Sequence, residues 1–188
     1  MPNSSGRWRV IPSTKASTSI NHAGWDPRCS VKARLGVIVL VPCARGGTSI
    51  KQWIKSDEHY ETMIKRAKAK VEVGGGGEIK ALLWYQGESD TSKLNNVENS
   101  KGCLEKFVQN VRTDLNMPSL LILMVIIESA DGPFKYEVIK RQKAFKMPSI
   151  VKVDSDGLGL NEDNVHLNTE AKVQLGKWLA DAYLNNFA

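Results

Sequence analysis

Cysteine is scarce: the sequence holds three, Cys29, Cys43 and Cys103, and no two form a C-x-x-C pair. An odd set cannot be fully bridged within the chain, so neither a disulfide scaffold nor a thiolate zinc site is expected. Cys43 closes a hydrophobic run, where a small buried thiol is the commoner role. Long apolar runs are lacking too. The longest, Leu120 to Ile127, suits a buried strand and is far shorter than a membrane span. No apolar stretch of the secretory kind occurs in the first 20 residues, which leaves the compartment open, with the cytoplasm as the default expectation.

What is present fits one globular domain. A hydrophobic content of 41% and a charged content of 24% over 188 residues exclude a mostly disordered chain. The net charge of +6 is unevenly spread. Residues 1–35 carry Arg7, Arg9, Lys15, Arg28, Lys32 and Arg34 against Asp26, a net of +5 that leaves +1 for the other 153 residues. A near-neutral body offers no broad surface for tracking phosphates, so no nucleic-acid partner is expected. No membrane partner is expected either, and the oligomeric state is open.

Residues 1–35 show no periodicity and read as an irregular segment ahead of a domain at residues 36–188. Four apolar runs follow: Val37 to Val41, Ile79 to Tyr85, Leu120 to Ile127 and Ile150 to Val153. Each is rich in Val, Ile and Leu on both faces, as strands of a covered parallel sheet are. Helical stripes alternate with them. Tyr60, Met63, Ile64 and Ala67 fall on one face of a helix from Glu58 to Val71, and Leu104, Phe107, Val108, Val111 and Leu115 on one face over residues 100–115. Phe134 to Phe145 repeats the pattern more weakly. A last helix from Thr169 to Tyr183 aligns Ala171, Leu175, Trp178, Leu179 and Ala182, with Asn168 as its N-cap. The alternation predicts an α/β domain with a parallel sheet.

Ligands of such sheets gather at the carboxyl ends of the strands. Gly74 to Gly77 follow a helix and precede a strand, the wrong end for a phosphate cradle, and read as a helix stop and loop. Three segments lie at the right end. In Cys43-Ala44-Arg45-Gly46-Gly47-Thr48-Ser49-Ile50, paired glycines either let the backbone approach a ligand or simply turn the chain. In Trp84-Tyr85-Gln86-Gly87-Glu88-Ser89-Asp90, Gln86 can offer amide hydrogens to a developing negative charge. Glu88 and Asp90 suit acid, base or supporting roles there, while Ser89 and Asp90 also suit helix capping. In Asp163-Asn164-Val165-His166, the carboxylate reaches Nδ1 of an imidazole within one turn and frees Nε2 as a proton acceptor, unless the pair is only structural.

Together these segments resemble the sialate-O-acetylesterase-like carbohydrate esterases of plants and bacteria, within the SGNH hydrolases. Val39 to Ile50 with Trp53, Leu83 to Asp90, and Gly157 to Leu167 are similar to three of that family's blocks, in order, over residues 36–187. The resemblance implies a flavodoxin-like three-layer α/β/α fold and hydrolysis of acetyl esters on carbohydrates. It implies His166 as general base, Asp163 as its orienter, and the Gly47 N–H and Gln86 amide as oxyanion donors. Gly46, Thr48, Glu88 and Asp90 would support the substrate site, and neither metal nor cofactor is needed.

One block of the pattern is missing: the sequence contains no Gly-Gln-Ser-Asn-Met string. The resemblance therefore implies that the nucleophilic serine and the central strand before it are absent from this form, through truncation or through degeneration to an inactive paralogue. Ser4 and Ser5 fit the role poorly, since a strand of about five residues cannot precede them. A non-catalytic sugar-binding protein, with Trp53, Trp84 and Tyr85 as stacking surfaces, is the alternative expectation.

Overall fold

The computed structural model describes residues 38–73 and 77–187. Among these, three strands pair in parallel in the order β1 (Ala81–Tyr85), β2 (Leu121–Ile126), β3 (Ile150–Asp154). Leu83 lies opposite Leu123, and Leu123 opposite Val151. Parallel neighbours require a crossover. The crossovers are α2 (Leu94–Asp114) and α3 (Lys135–Ala144), with α1 (Glu58–Val73) before the sheet and α4 (Thr169–Phe187) after it.

Side chains on a strand alternate between faces, and the core divides accordingly. On one face, Trp84, Ile122 and Met124 pack against Tyr60, Met63 and Ile64 of α1 and Phe107, Val108 and Val111 of α2. Val138 of α3 joins that side through Ile127 and Val97. On the other face, Val125 and Val153 meet Ala171 and Leu175 of α4. β2, flanked on both edges, is buried along its whole length. The result is the expected three-layer α/β/α arrangement.

The helices follow their stripes, with three extensions, α4 running on to Phe187. α2 begins at Leu94, earlier than the apolar pattern suggests, because Asn95, Asn96 and Asn99 mask a first turn that buries Val97 against Val138. Asn168 caps α4 as expected, its Oδ1 accepting the Ala171 N–H at 2.9 Å. α1 runs to Val73; Gly74 to Gly76 lie outside the described residues, as does the expected segment 1–35.

Two expectations are corrected. Three strands are present among the described residues, where four apolar runs predict four. Ile38, Val39 and Leu40 are 39%, 58% and 67% exposed and belong to no strand; Val37 lies outside the described residues. A strand exists only through its neighbour's hydrogen bonds, and no described segment pairs with this run. β1 is also covered on one face only. Trp84 is buried, but Leu83 and Tyr85, on the opposite side, are 46% and 39% exposed, because α4 packs over β2 and β3.

Candidate active site

The first glycine segment enters a short 3₁₀ helix, Ile50–Trp53. Thr48 anchors the turn: its hydroxyl donates to the Arg45 carbonyl at 2.8 Å and accepts the Trp53 indole N–H at 3.0 Å. Gly47 has φ +74°, a conformation that favours glycine, although an added Cβ would meet nothing within 4 Å. Gly46 has neither constraint. Both glycines are exposed, while Thr48, Ser49 and Ile50 are buried.

The second segment leaves β1 at Gln86 and turns through Gly87, whose φ is +152°. Here space also demands glycine, since a Cβ would stand 2.6 Å from Nε2 of Gln142. Gln142 of α3, which nothing in the sequence pattern marked, spans the ends of two strands. Its Nε2 donates to the Gln86 carbonyl at 2.8 Å, and its Oε1 accepts the Ile127 N–H at 2.9 Å.

Asp90 does not cap its own segment. Its buried carboxylate accepts the Ile50 N–H at 3.1 and 3.2 Å, capping the neighbouring 3₁₀ helix, and the Gln86 amide at 2.7 Å. The Gln86 Nε2 also donates to the Thr48 carbonyl at 3.1 Å. The first two segments are therefore joined by hydrogen bonds. Both Gln86 amide hydrogens already have protein acceptors, whereas the sequence suggests a side chain offering one outward.

The third segment is held by its own backbone. Leu160 and Leu167 form an antiparallel bridge, and the Asn161 N–H donates to the His166 carbonyl at 2.8 Å. Within this loop Asp163 Oδ1 accepts the Val165 and His166 N–H groups, each at 2.9 Å, and Oδ2 meets His166 Nδ1 at 2.8 Å. The carboxylate is an acceptor, so Nδ1 carries the hydrogen and, in the neutral ring, Nε2 is the proton acceptor. The His166 side chain is 73% exposed. Ser129, also unmarked in the sequence, ties the loop to the end of β2 through a 2.7 Å bond to the Val165 carbonyl.

Electrostatics link the second and third segments. The His166 and Val165 backbone N–H groups, then the His166 ring, hold Asp163 down to about 2. Burial pushes Glu88 up, opposed in part by its backbone hydrogen bonds and by the charge of His166. Burial also raises Asp90 against its bonds to Gln86 and Ile50. Tyr85 is pushed up to about 12 by burial and by the nearby charge of Glu88. The aromatic expectation is corrected: Trp53 and Trp84 are 3% and 7% exposed and pack edge-to-face at 5.4 Å, so neither can stack on a sugar. Among the described residues no three metal-ligating side chains cluster, and no serine hydroxyl bonds the His166 ring.

A parallel sheet sandwiched by helices is consistent with an α/β domain of the SGNH-hydrolase type, and its Asp–His pair lies just ahead of the last helix. The chain belongs to the carbohydrate esterase, sialic acid-specific acetylesterase family, whose model matches residues 26–185. It is 48% identical over 162 residues to a probable carbohydrate esterase of Arabidopsis thaliana, covering 84% of this chain and 61% of that protein. It thus spans about three-fifths of the relative's length. A crystal structure of a protein from Arabidopsis thaliana superposes with a TM-score of 0.80 at 47% identity, covering 84% of this chain and 66% of that one.

Proposed function

We propose that this chain supplies the base and the oxyanion-binding half of a serine esterase that removes O-acetyl groups from carbohydrates. The observation that carries this reading is the Asp163–His166 couple, with Nδ1 bonded at 2.8 Å and the ring exposed above the strand ends. A serine hydroxyl would attack the acetyl carbonyl carbon while its proton passes to His166 Nε2. The carbonyl oxygen becomes an anion, received by the Gly47 N–H and by a Gln86 amide hydrogen withdrawn from the Thr48 carbonyl. Collapse breaks the ester bond, and the sugar oxygen leaves with the proton from His166. Water then repeats the sequence on the acyl-serine, releasing acetate and restoring the serine. Gly46 and Thr48 shape the loop that carries Gly47, and Glu88 and Asp90 support the same cleft.

The nucleophile belongs to a Gly-Gln-Ser-Asn block that this sequence does not contain. As it stands, the chain is expected to turn over p-nitrophenyl acetate orders of magnitude more slowly than an intact esterase, because only binding and oxyanion stabilisation remain. An N-terminal strand ending in Gly-Gln-Ser-Asn, joined to this chain, should restore acetate release, and His166→Ala should abolish it. A folded graft that stays inactive overturns the reading.

A further inference from the structure

The proposed oxyanion hole draws one donor from the 46–49 loop and the other from Gln86, on segments about 40 residues apart in the chain. Nothing in the backbone ladder joins them, yet the two donors must keep a fixed spacing to grip one oxygen atom. Gln142 fixes only the main chain of residue 86. The direction of the Gln86 amide is left to its side-chain partners.

We propose that Asp90 is a positioning residue: one buried carboxylate, holding the Ile50 N–H and the Gln86 amide at once, aligns both halves of the oxyanion site. The inference rests on the esterase reading for its role and on the hydrogen bonds alone for its geometry. Asp90 is 2% exposed, and its two oxygens divide the work. Oδ1 and Oδ2 share the Ile50 N–H at 3.2 and 3.1 Å, which sets the first turn after Gly47, Thr48 and Ser49. Oδ2 takes the Gln86 Nε2–H at 2.7 Å. A carboxylate only accepts, so it forces the amide to turn its nitrogen rather than its oxygen toward Asp90 and the Thr48 carbonyl. The other amide hydrogen rests on the Thr48 carbonyl at 3.1 Å, the weaker of the two bonds by length and charge, and is the one released to an oxyanion.

Asparagine at position 90 keeps the shape and inverts half of this logic. With its oxygen at the bridging Oδ2 site its NH₂ meets the Ile50 N–H, and turned over it meets the Gln86 NH₂, so either orientation sets a donor against a donor in one half of the site. If Gln86 turns, it presents a carbonyl where a donor is needed.

The test uses the whole chain and reads the Gln86 side-chain NH₂ pair by ¹⁵N-edited NMR, assigned by its loss in Gln86→Leu. In the unsubstituted protein the pair should exchange with solvent at least ~10-fold more slowly than an exposed glutamine amide, since both hydrogens are bonded inside the protein. Its nitrogen shift should also follow the titration of the Asp90 carboxyl carbon rather than those of Lys51 and Glu88, the other charged groups acting near it. Asp90→Asn should shift the pair and speed its exchange ~10-fold or more.

Ordinary exchange in the unsubstituted protein, or a Gln86 signal indifferent to Asp90 in folded protein, overturns the proposal. If Asp90→Asn does not fold, the exchange and titration of the unsubstituted chain decide alone. In the serine-bearing graft, Asp90→Asn should lower kcat ~100-fold with KM little changed, the loss expected of a misdirected oxyanion donor. Slow exchange coupled to Asp90 in a graft without activity would sink the esterase reading and leave standing only the Asp90 bridge between Gln86 and Ile50. An active graft whose kcat is unchanged by Asp90→Asn would sink the positioning role alone.

Discussion

Asp163 and Glu88 lie near the same imidazole and titrate in opposite directions. Asp163 accepts two backbone N–H groups and the ring, so its folded-state value falls to about 2. A depressed carboxylate contributes stability above its unfolded value, ~3.9, and loses it as pH falls through the folded value. Carboxyl-carbon NMR should therefore place its midpoint near 2. In the serine-bearing graft, any loss of activity between about pH 6 and pH 4 should then arise elsewhere than at this carboxylate. Glu88 is raised, chiefly by burial. Its contribution is complete below the unfolded value, ~4.3, and is lost as pH rises through the raised one. Glu88→Gln removes that loss, so its Tm relative to the unsubstituted protein should increase between pH 4 and pH 7, a window set by ~4.3 as its lower end. A Tm difference that stays flat across that range contradicts the assignment. Gly87→Ala should fail more severely. The Cβ would stand 2.6 Å from the Gln142 amide and 3.2 Å from Ile127 Cγ2, at a φ of +152°. Loss of about 2–4 kcal/mol in urea denaturation is expected.

Elements show how unevenly the sequence disclosed this molecule. The stripes of α1 and α4 were legible because one face is apolar and the other polar, and Asn168 announced a helix start that the structure caps at 2.9 Å. β2 was legible because all six of its residues are apolar and buried. The run at residues 38–41 looked equally convincing, yet residues 38–40 are exposed and the run pairs with no described strand. Apolar composition records what a strand would bury, while pairing depends on a neighbour that no local window contains. The Asp163–His166 contact was readable for a local reason, lying within a single turn. Gln142 and Ser129 were not readable, because their partners Gln86, Ile127 and Val165 are 15 to 56 positions away. Arg112 of α2 was not readable either. Its Nη2 donates to the Leu120, Pro148 and Ser149 carbonyls at 3.0, 2.6 and 3.4 Å, gathering the chain where β2 and β3 begin. Arg112→Leu leaves those carbonyls without the guanidinium and should cost about 2–3 kcal/mol by chemical denaturation.

For the whole molecule, the two-sided packing of the sheet decides where stability resides. Phe107 is fully buried between α1 and β1, edge-on to Tyr60 at 6.3 Å and tilted against Trp84 at 4.3 Å. Phe107→Ala should cost about 3–5 kcal/mol, the range for emptying an aromatic core site. A change below 1 kcal/mol, against that ~3–5 kcal/mol range, would mean that this side of the sheet is not the main core. The opposite side has less to lose, because α4 is its sole helix among the described residues and Leu83 and Tyr85 remain half-open.

The loop bearing His166 is pinched shut by the Leu160–Leu167 bridge and furnishes every bond that orients its own ring. It is a closed clasp, indifferent to whether the far bank of the cleft is complete. Damage on that far bank would leave its acid and imidazole poised as before. An intact couple of this kind supplies the base of a hydrolytic site and not its nucleophile, so counting surviving triad members is a poor way to sort working esterases from silent ones.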